Sequence, residues 1–126
     1  MIPIPSADRY ADALRAMAAV NALKPTYERL LAVHFAAPSH TLTTRELADR
    51  MGWPSHSSVN VHYGSLGKKL AARLQWAHPA GAPDAASVAT FVGGSADDPG
   101  TRWVMHPELA AGIAQAGLRE LLRGGA

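Results

Sequence analysis

The sequence predicts a mostly α-helical fold with a small β-hairpin, and three features of the chain lead to this prediction. Apolar residues recur at helical spacing through much of the chain. Residues 43–74 resemble two helices joined by a short glycine turn. Residues 87–105 consist of two runs of strand-forming residues on either side of a turn-rich segment, GGSADDPG. A helix-turn-helix followed by a β-hairpin is the layout of a winged helix, so we expect one winged-helix domain over residues 1–126.

The composition fits one small helical domain and excludes several kinds of chemistry. The chain has 126 residues, 48% of them hydrophobic, and a formal net charge of only +2. This length supports one core but hardly two. The absence of cysteine excludes a disulfide scaffold, a thiol nucleophile and cysteine metal sites, and it fits a cytoplasmic protein. We find neither an apolar run of membrane-spanning length nor a secretion signal, so we expect no membrane partner.

Two amphipathic helices are expected before the helix-turn-helix. Ser6 can cap the first, which should end near Val20-Asn21. Its apolar stripe comprises Tyr10, Ala13, Leu14 and Met17. Pro25 suits the first turn of the second helix. The apolar stripe of the second helix comprises Tyr27, Leu30, Leu31, His34 and Phe35. No partner for His34 lies at metal-ligand spacing, so we expect this histidine to be packed in the core.

The first helix of the helix-turn-helix has a nearly complete set of start and stop signals. Thr43 can cap it, and Glu46 stands three residues later, as a capping box requires. Leu42 and Leu47 are spaced as a hydrophobic staple. Gly52 suits the C′ position, where a left-handed backbone is easily adopted by glycine.

The second helix should begin near Ser55, with Ser55 or Ser57 as its N-cap. The apolar stripe comprises Val59, Tyr63, Leu66, Leu70 and Leu74. The opposite face comprises Ser57, Asn60, Val61, Gly64, Ser65 and Lys68. No acidic residue occurs between Ser55 and Gln75, although an ordinary solvated helix face usually carries some. The alternative interpretation is such a solvated face.

We therefore expect the second helix to read duplex DNA in the major groove. Short side chains allow close approach, and asparagine can pair with the edge of adenine. The residues predicted to contact bases are Ser57, Asn60, Val61 and Gly64. The residues predicted to contact the DNA backbone are Thr44, Arg45, His62, Lys68, Lys69 and Arg73.

The predicted hairpin has strands over residues 87–92 and 101–105. Its tip carries Asp97 and Asp98, which are poorly suited to phosphate contacts. The hairpin can therefore either contact DNA or pack on the core and add little to binding. A last helix is predicted over residues 107–118, with Pro107 in its first turn and Gly117 as its stop. We expect a short extra turn after it and a disordered tail at residues 124–126.

Three segments resemble a known family: TLTTRELADRMGW, VNVHYGSLGKKLA and RWVMHPELAAGI. They are similar to winged-helix domains fused to bacterial HNH-type restriction endonucleases, over roughly residues 25–118. The most specific part is Asn60-x-x-Tyr63-Gly64-x-Leu66-Gly67. The resemblance implies DNA binding, and related modification-dependent enzymes imply that the base-contacting face senses methylated bases. Because this chain contains no HNH-like nuclease module, only the reading function carries over.

Other chemistry finds little support in the sequence. None of the six histidines belongs to an HExxH or related zinc motif, and Ser57-Ser58 lacks a nucleophile-elbow context. We expect no metal, no cofactor and no catalytic activity. Trp53, Trp76 and Trp103 are expected to anchor the core or its edge. The alternative to DNA binding is a protein-interaction module, an adaptor or inhibitor, which the low net charge and acidic tip favour. Its partner would be another protein or a second copy of the chain.

Overall fold

The computed structural model of the protein describes residues 3–117, which form a mostly helical fold with a small three-stranded antiparallel sheet. The predicted fold class is confirmed at this level, although the sheet contains one strand more than predicted. The helices are α1 (Ala7–Ala19), α2 (Pro25–Ala36), α3 (Thr44–Met51), α4 (Ser57–Leu74) and α5 (Pro107–Gln115). The strands are β1 (Thr41–Thr43), β2 (Ala89–Val92) and β3 (Arg102–Met105).

The sheet has the strand order β1-β3-β2, with both pairs antiparallel. Trp103 in the central strand lies opposite Leu42 on one side and Phe91 on the other. The β1 strand was not predicted, because three residues are too few for a period-two pattern. Thr43 ends this strand and also caps α3, so the sheet and the helix pair are joined directly.

The local signals at the helix ends are confirmed. The Ser6 Oγ accepts a hydrogen bond from the backbone N–H of Arg9. Thr43 and Glu46 form both hydrogen bonds of the capping box, at 3.1 and 2.9 Å. Gly52 has a φ of 77°, the left-handed conformation expected after α3. These contacts are local in sequence, which explains why the sequence reveals them.

Helix α4 begins at Ser57, slightly later than the predicted start near Ser55. The prediction of Ser55 or Ser57 as its N-cap is wrong, because the N-cap residue is His56, whose side chain makes no capping hydrogen bond. The Ser55 Oγ accepts a hydrogen bond from the Ser57 N–H at 3.2 Å instead. The predicted apolar stripe of α4 is confirmed, and each of its members is at most 1% exposed.

Residues 84–88 differ from the prediction of a strand beginning at Ser87. Asp84–Ser87 forms a 3-10 turn instead, and β2 begins at Ala89. The Ser87 Oγ donates a hydrogen bond to the Gly67 carbonyl at 2.8 Å, which holds this turn against α4. A Cβ at residue 67 would collide with the Asp84 carbonyl, so the close approach requires glycine there.

His34 is a core histidine, as predicted, and is fully buried. Its Nε2 must donate to the Trp103 carbonyl at 2.8 Å, because a carbonyl only accepts. Its Nδ1 then accepts from the Tyr63 hydroxyl at 2.9 Å. Burial lowers the pKa of His34 from 6.5 to about 4, so the ring is neutral near pH 7. These two hydrogen bonds join α2, α4 and β3.

The tryptophans and the last helix follow the predictions closely. Trp103 is fully buried, Trp76 is buried at the core edge and Trp53 is half-buried. Helix α5 ends at Gln115, and Gly117 takes the left-handed conformation with a φ of 75°. Residue 118, the extra turn and the disordered tail that were predicted lie outside the described residues.

Candidate nucleic-acid interface

The outer face of α4 is open to solvent along most of the helix. Val61 is 67% exposed, the largest exposed fraction among the bulky apolar side chains of residues 3–117. Ser57, Ser65 and Lys68 are exposed, whereas Asn60 and Gly64 are half-buried. No carboxylate belongs to this helix. The structure therefore brings the four predicted base-contacting residues onto one accessible surface.

Gly64 and Gly67 lie on the same helix and have different structural explanations. Gly67 is required where the Asp84–Ser87 turn approaches α4, as described above. A Cβ at Gly64 would meet no atom within 4 Å, so nothing in the fold requires glycine at that position. Glycine inside a helix is destabilising by roughly 0.5–1 kcal/mol relative to alanine. A half-buried glycine with this unexplained cost is consistent with close approach of a partner to the helix surface.

The loop between β2 and β3, residues 93–101, lies against the beginning of α4. The Asn60 Nδ2 donates a hydrogen bond to the Asp97 Oδ1 at 2.7 Å. One turn earlier, the His56 Nε2 donates to the Asp97 carbonyl oxygen at 3.2 Å. A carboxylate therefore borders the predicted reading surface although none belongs to α4. No local pattern in the sequence indicates this contact, because its partners are separated by 37 residues.

The same loop is also attached to α3. The backbone N–H groups of Thr44 and Arg45 donate to the carbonyls of Thr101 and Pro99, each at 3.0 Å. Ala96 at the loop tip is only 8% exposed. The acidic loop thus packs against the helix pair, one of the two arrangements considered for it from the sequence.

Thr44 is not on the surface, although a contact with the DNA backbone was expected for it. The prediction of a DNA-backbone contact is wrong, because Thr44 is fully buried. Its Oγ1 accepts a hydrogen bond from the Trp103 Nε1 at 2.7 Å and donates to the Thr101 carbonyl at 3.4 Å. Thr44 at the start of α3 packs against β3. Of the two predicted phosphate contacts in this turn, only Arg45 is exposed.

His62 is half-buried and already engaged within the protein. Its ring stacks on Trp53, with 4.5 Å between centroids and 19° between planes. Its Nδ1 donates to the Ser58 carbonyl at 2.8 Å. In the neutral ring Nε2 is then an acceptor. A contact between His62 and a phosphate therefore requires the protonated, cationic ring.

The three predicted cations at the end of α4 do not form a single patch. Consecutive residues of a helix are about 100° apart around its axis. Lys68 is exposed beside the reading surface, whereas Lys69 is turned toward α2 and Arg73 lines a cavity with Arg9 and Asp12 of α1. The Lys69 Nζ lies 5.4 Å from the centre of the Tyr27 ring, a cation–π distance. Lys68 and Arg73 are exposed, whereas Lys69 is half-buried and its ammonium group interacts with the Tyr27 ring.

Tyr27 is the residue that holds this side of α4 to α2. Its hydroxyl is hydrogen-bonded to the Ser65 Oγ at 2.8 Å. That hydrogen bond, with smaller effects from the charges of Lys69 and Lys24, lowers the pKa of Tyr27. Ser65 is thereby drawn toward α2. The part of α4 that remains open to a partner, called the strip below, consists of Ser57, Asn60, Val61, Gly64 and Lys68.

Two other kinds of site were sought in residues 3–117. No group of three or more His, Cys, Asp or Glu side chains in this range is arranged to hold a metal ion. Nor is any helix in this range long and apolar enough to cross a membrane.

No protein-family model, curated protein or solved structure gives a significant match to the chain. The functional assignment therefore depends on the geometry of α4 and of the loop beside it.

Proposed function

We propose that this protein binds duplex DNA as a winged helix, with α4 in the major groove, and has no catalytic activity of its own. The order α2-β1-α3-α4-β2-β3 and the sheet order β1-β3-β2 support this arrangement. The observation that carries the proposal is the open strip of α4 from Ser57 to Lys68. This strip presents small or hydrogen-bonding side chains, one valine and a terminal cation, and no acid of its own.

The dimensions of the strip fit a groove-reading role. Residues 57–68 extend about 17 Å along the helix axis. The major groove is about 12 Å wide and admits one α-helix. Ser57 and Asn60 would hydrogen-bond to base edges, and Gly64 would let the helix approach closely. Val61 would contact a pyrimidine methyl group.

The exposed cations around the strip would hold the DNA backbone. Arg45 in the first turn of α3 and Lys68 on α4 are both exposed. Lys69 on the α2 side and Arg73 on the α1 side would add weaker contacts, as would His62 where its ring is cationic. The low net charge implies that these phosphate contacts are few, so we expect only moderate salt dependence.

We include recognition of methylated bases in the proposal because the chain resembles winged-helix domains of modification-dependent restriction endonucleases. The exposed Val61 side chain next to Asn60 supports it, because an apolar group can contact a methyl group in the groove. A DNA ligand also fits the proposed cytoplasmic location.

A protein-interaction module is the second candidate, and one observation favours it. Asp97 borders the exposed Val61 strip, and an acidic border repels phosphates while it suits a partly basic protein surface. Such a partner would be another protein or a second copy of this chain.

The test is an anisotropy titration of the full chain against labelled duplexes at two salt concentrations. Random, adenine-methylated and cytosine-methylated probes would be compared. The informative variant is Val61→Glu, which places a carboxylate on the strip. Val20→Glu is the matched control, because Val20, the C-cap residue of α1, is 58% exposed and the charge change is identical.

The proposal predicts that Val61→Glu weakens binding about tenfold or more, the scale of one lost base contact, while Val20→Glu changes it little. Equal weakening by both variants would leave only nonspecific electrostatics. Absence of binding to every probe would contradict the proposal and direct attention to a protein partner, sought by pulldown.

A further inference from the structure

The contact between Asn60 and Asp97 fixes the orientation of the asparagine side chain. An ionised carboxylate only accepts hydrogen bonds, so the amide nitrogen of Asn60 must face Asp97. The amide oxygen of Asn60 is therefore turned away from that carboxylate. Asp97 itself is exposed, and its Oδ2 accepts no hydrogen bond from residues 3–117. Asp97 Oδ2 thus stands at the beginning of the strip as a free acceptor, next to the Asn60 amide, whose oxygen accepts and whose second N–H can donate.

The loop that carries Asp97 is a fixed part of this surface. Its tip is held by the buried Ala96 and by the hydrogen bond from His56 to the Asp97 carbonyl. Its far end is held by the backbone hydrogen bonds from Thr44 and Arg45. Moving Asp97 away from α4 would expose Ala96 and break the contacts with His56 and Asn60. A partner that approaches α4 therefore meets the asparagine and the carboxylate together.

A free carboxylate oxygen beside the strip selects for a hydrogen-bond donor in the partner, because it can only accept. In the major groove, cytosine presents the N4 amino group, whereas guanine and thymine present acceptors. Adenine presents its N6 amino group beside its own N7 acceptor, which the Asp97 carboxylate would repel. The cytosine ring itself carries no acceptor beside its N4 amino group in this groove, and acidic side chains accept from that group. Cytosine is therefore the base that suits Asp97 best.

We propose that Asp97 is a specificity-determining residue that acts with Asn60 to select cytosine at one position of the DNA site. This inference rests on the proposed DNA binding. It also changes the expectation for Asn60, because the sequence alone indicated an adenine contact. The carboxylate disfavours phosphate-driven binding, so its contribution is to discrimination and not to overall affinity.

The experiment is selection from randomised duplexes with the full-length chain, followed by sequencing and by measurement of the affinities for selected sites. The informative variant is Asp97→Asn. Its amide oxygen would accept from Asn60, and its amide nitrogen would then face outward as a donor. Asp98→Asn is the matched control in the same loop. Asp98 accepts from the Ser95 backbone N–H at 3.2 Å, which an asparagine oxygen can also do.

We expect the unmodified protein to prefer cytosine at one position by about tenfold over guanine or thymine, the scale of one good base contact. Asp97→Asn should move that preference toward guanine or thymine at the same position and leave the other positions unchanged. Asp98→Asn should retain cytosine. Both variants should bind nonspecific duplexes slightly more tightly, because each removes one negative charge.

An unchanged base preference in Asp97→Asn, with site-specific binding intact, would overturn this inference and leave the proposed DNA binding standing. The same would follow if both variants only gained affinity equally, since Asp97 would then act through repulsion alone. Failure of all three proteins to bind any duplex would overturn both proposals.

Discussion

Two of the polar contacts of helix α4 lie on opposite sides of the helix, and they differ in what they contribute to folding and to binding. On the buried side the Tyr63 hydroxyl donates to His34, which donates to the Trp103 carbonyl. On the exposed side Asn60 donates to Asp97. The buried contact satisfies polar groups that cannot reach water, so folding requires it. The exposed contact satisfies groups that water would serve equally well, so its geometry is better explained by binding.

The largest expected effect is a loss of folding stability in acid, and it arises from His34 on the buried side of α4. The His34 ring stays neutral in the folded protein, because its pKa is about 4. In the unfolded chain it takes up a proton below pH 6.5. Unfolding therefore binds a proton between pH 6.5 and 4, and the free energy of unfolding should fall by up to roughly 3 kcal/mol over that range. Chemical denaturation at several pH values measures this.

His34→Gln is the control for the acid effect. Glutamine can donate to the Trp103 carbonyl and accept from Tyr63, but it does not titrate. The variant should be less stable at pH 7 and should lose most of the pH dependence between 6.5 and 4. If the variant kept the same acid dependence, another group would be responsible for it.

A second comparison applies the same substitution at two glycines of α4. Gly67→Ala should destabilise the protein by about 1–3 kcal/mol, because the new Cβ would collide with the Asp84 carbonyl. Gly64→Ala should stabilise it by about 0.5–1 kcal/mol, because nothing opposes the new methyl group and alanine favours the helix. Thermal or urea denaturation gives both values.

DNA binding should change in the opposite sense at Gly64. The added methyl group would stand on the strip that meets the groove, so we expect weaker DNA binding from a more stable protein. Unaltered DNA binding by Gly64→Ala would show that α4 does not approach the DNA closely at residue 64.

Several of these residues show which structural features could be predicted from the sequence. The capping box of Thr43 and Glu46 and the αL glycine at residue 52 are local signals, and each is confirmed in the structure. The core role of His34 followed from its position on an apolar stripe. These features depend on neighbours within one or two turns, which a pattern in the sequence records.

The features that the sequence did not reveal depend on distant contacts. Thr44 follows a surface cap but is buried against Thr101 and Trp103, which lie 57 and 59 residues away along the chain. The 3-10 turn at Asp84–Ser87 is set by its contact with Gly67 on α4. The Asn60–Asp97 hydrogen bond likewise joins separate elements. Local pattern and spacing contain no information about such pairs.

Two further substitutions separate contacts with bases from contacts with phosphates. Asn60→Ala should weaken binding to the preferred site by about 1–2 kcal/mol and change random duplexes little. Lys68→Ala should weaken binding to all sequences by a smaller amount and reduce the salt slope by about one. Titrations at several salt concentrations measure both. Identical effects of the two variants on every probe would contradict the assigned roles.

We propose that DNA meets the strip of α4 from Ser57 to Lys68 together with the loop at residues 93–101. An NMR titration of the isotope-labelled chain with a short duplex would locate the contact surface. We expect the backbone signals of the strip, the Asn60 side-chain amide and the loop to shift together, while signals of α1 and α5 stay in place. Shifts centred on α1 or α5, or none at saturating DNA, would contradict this proposal.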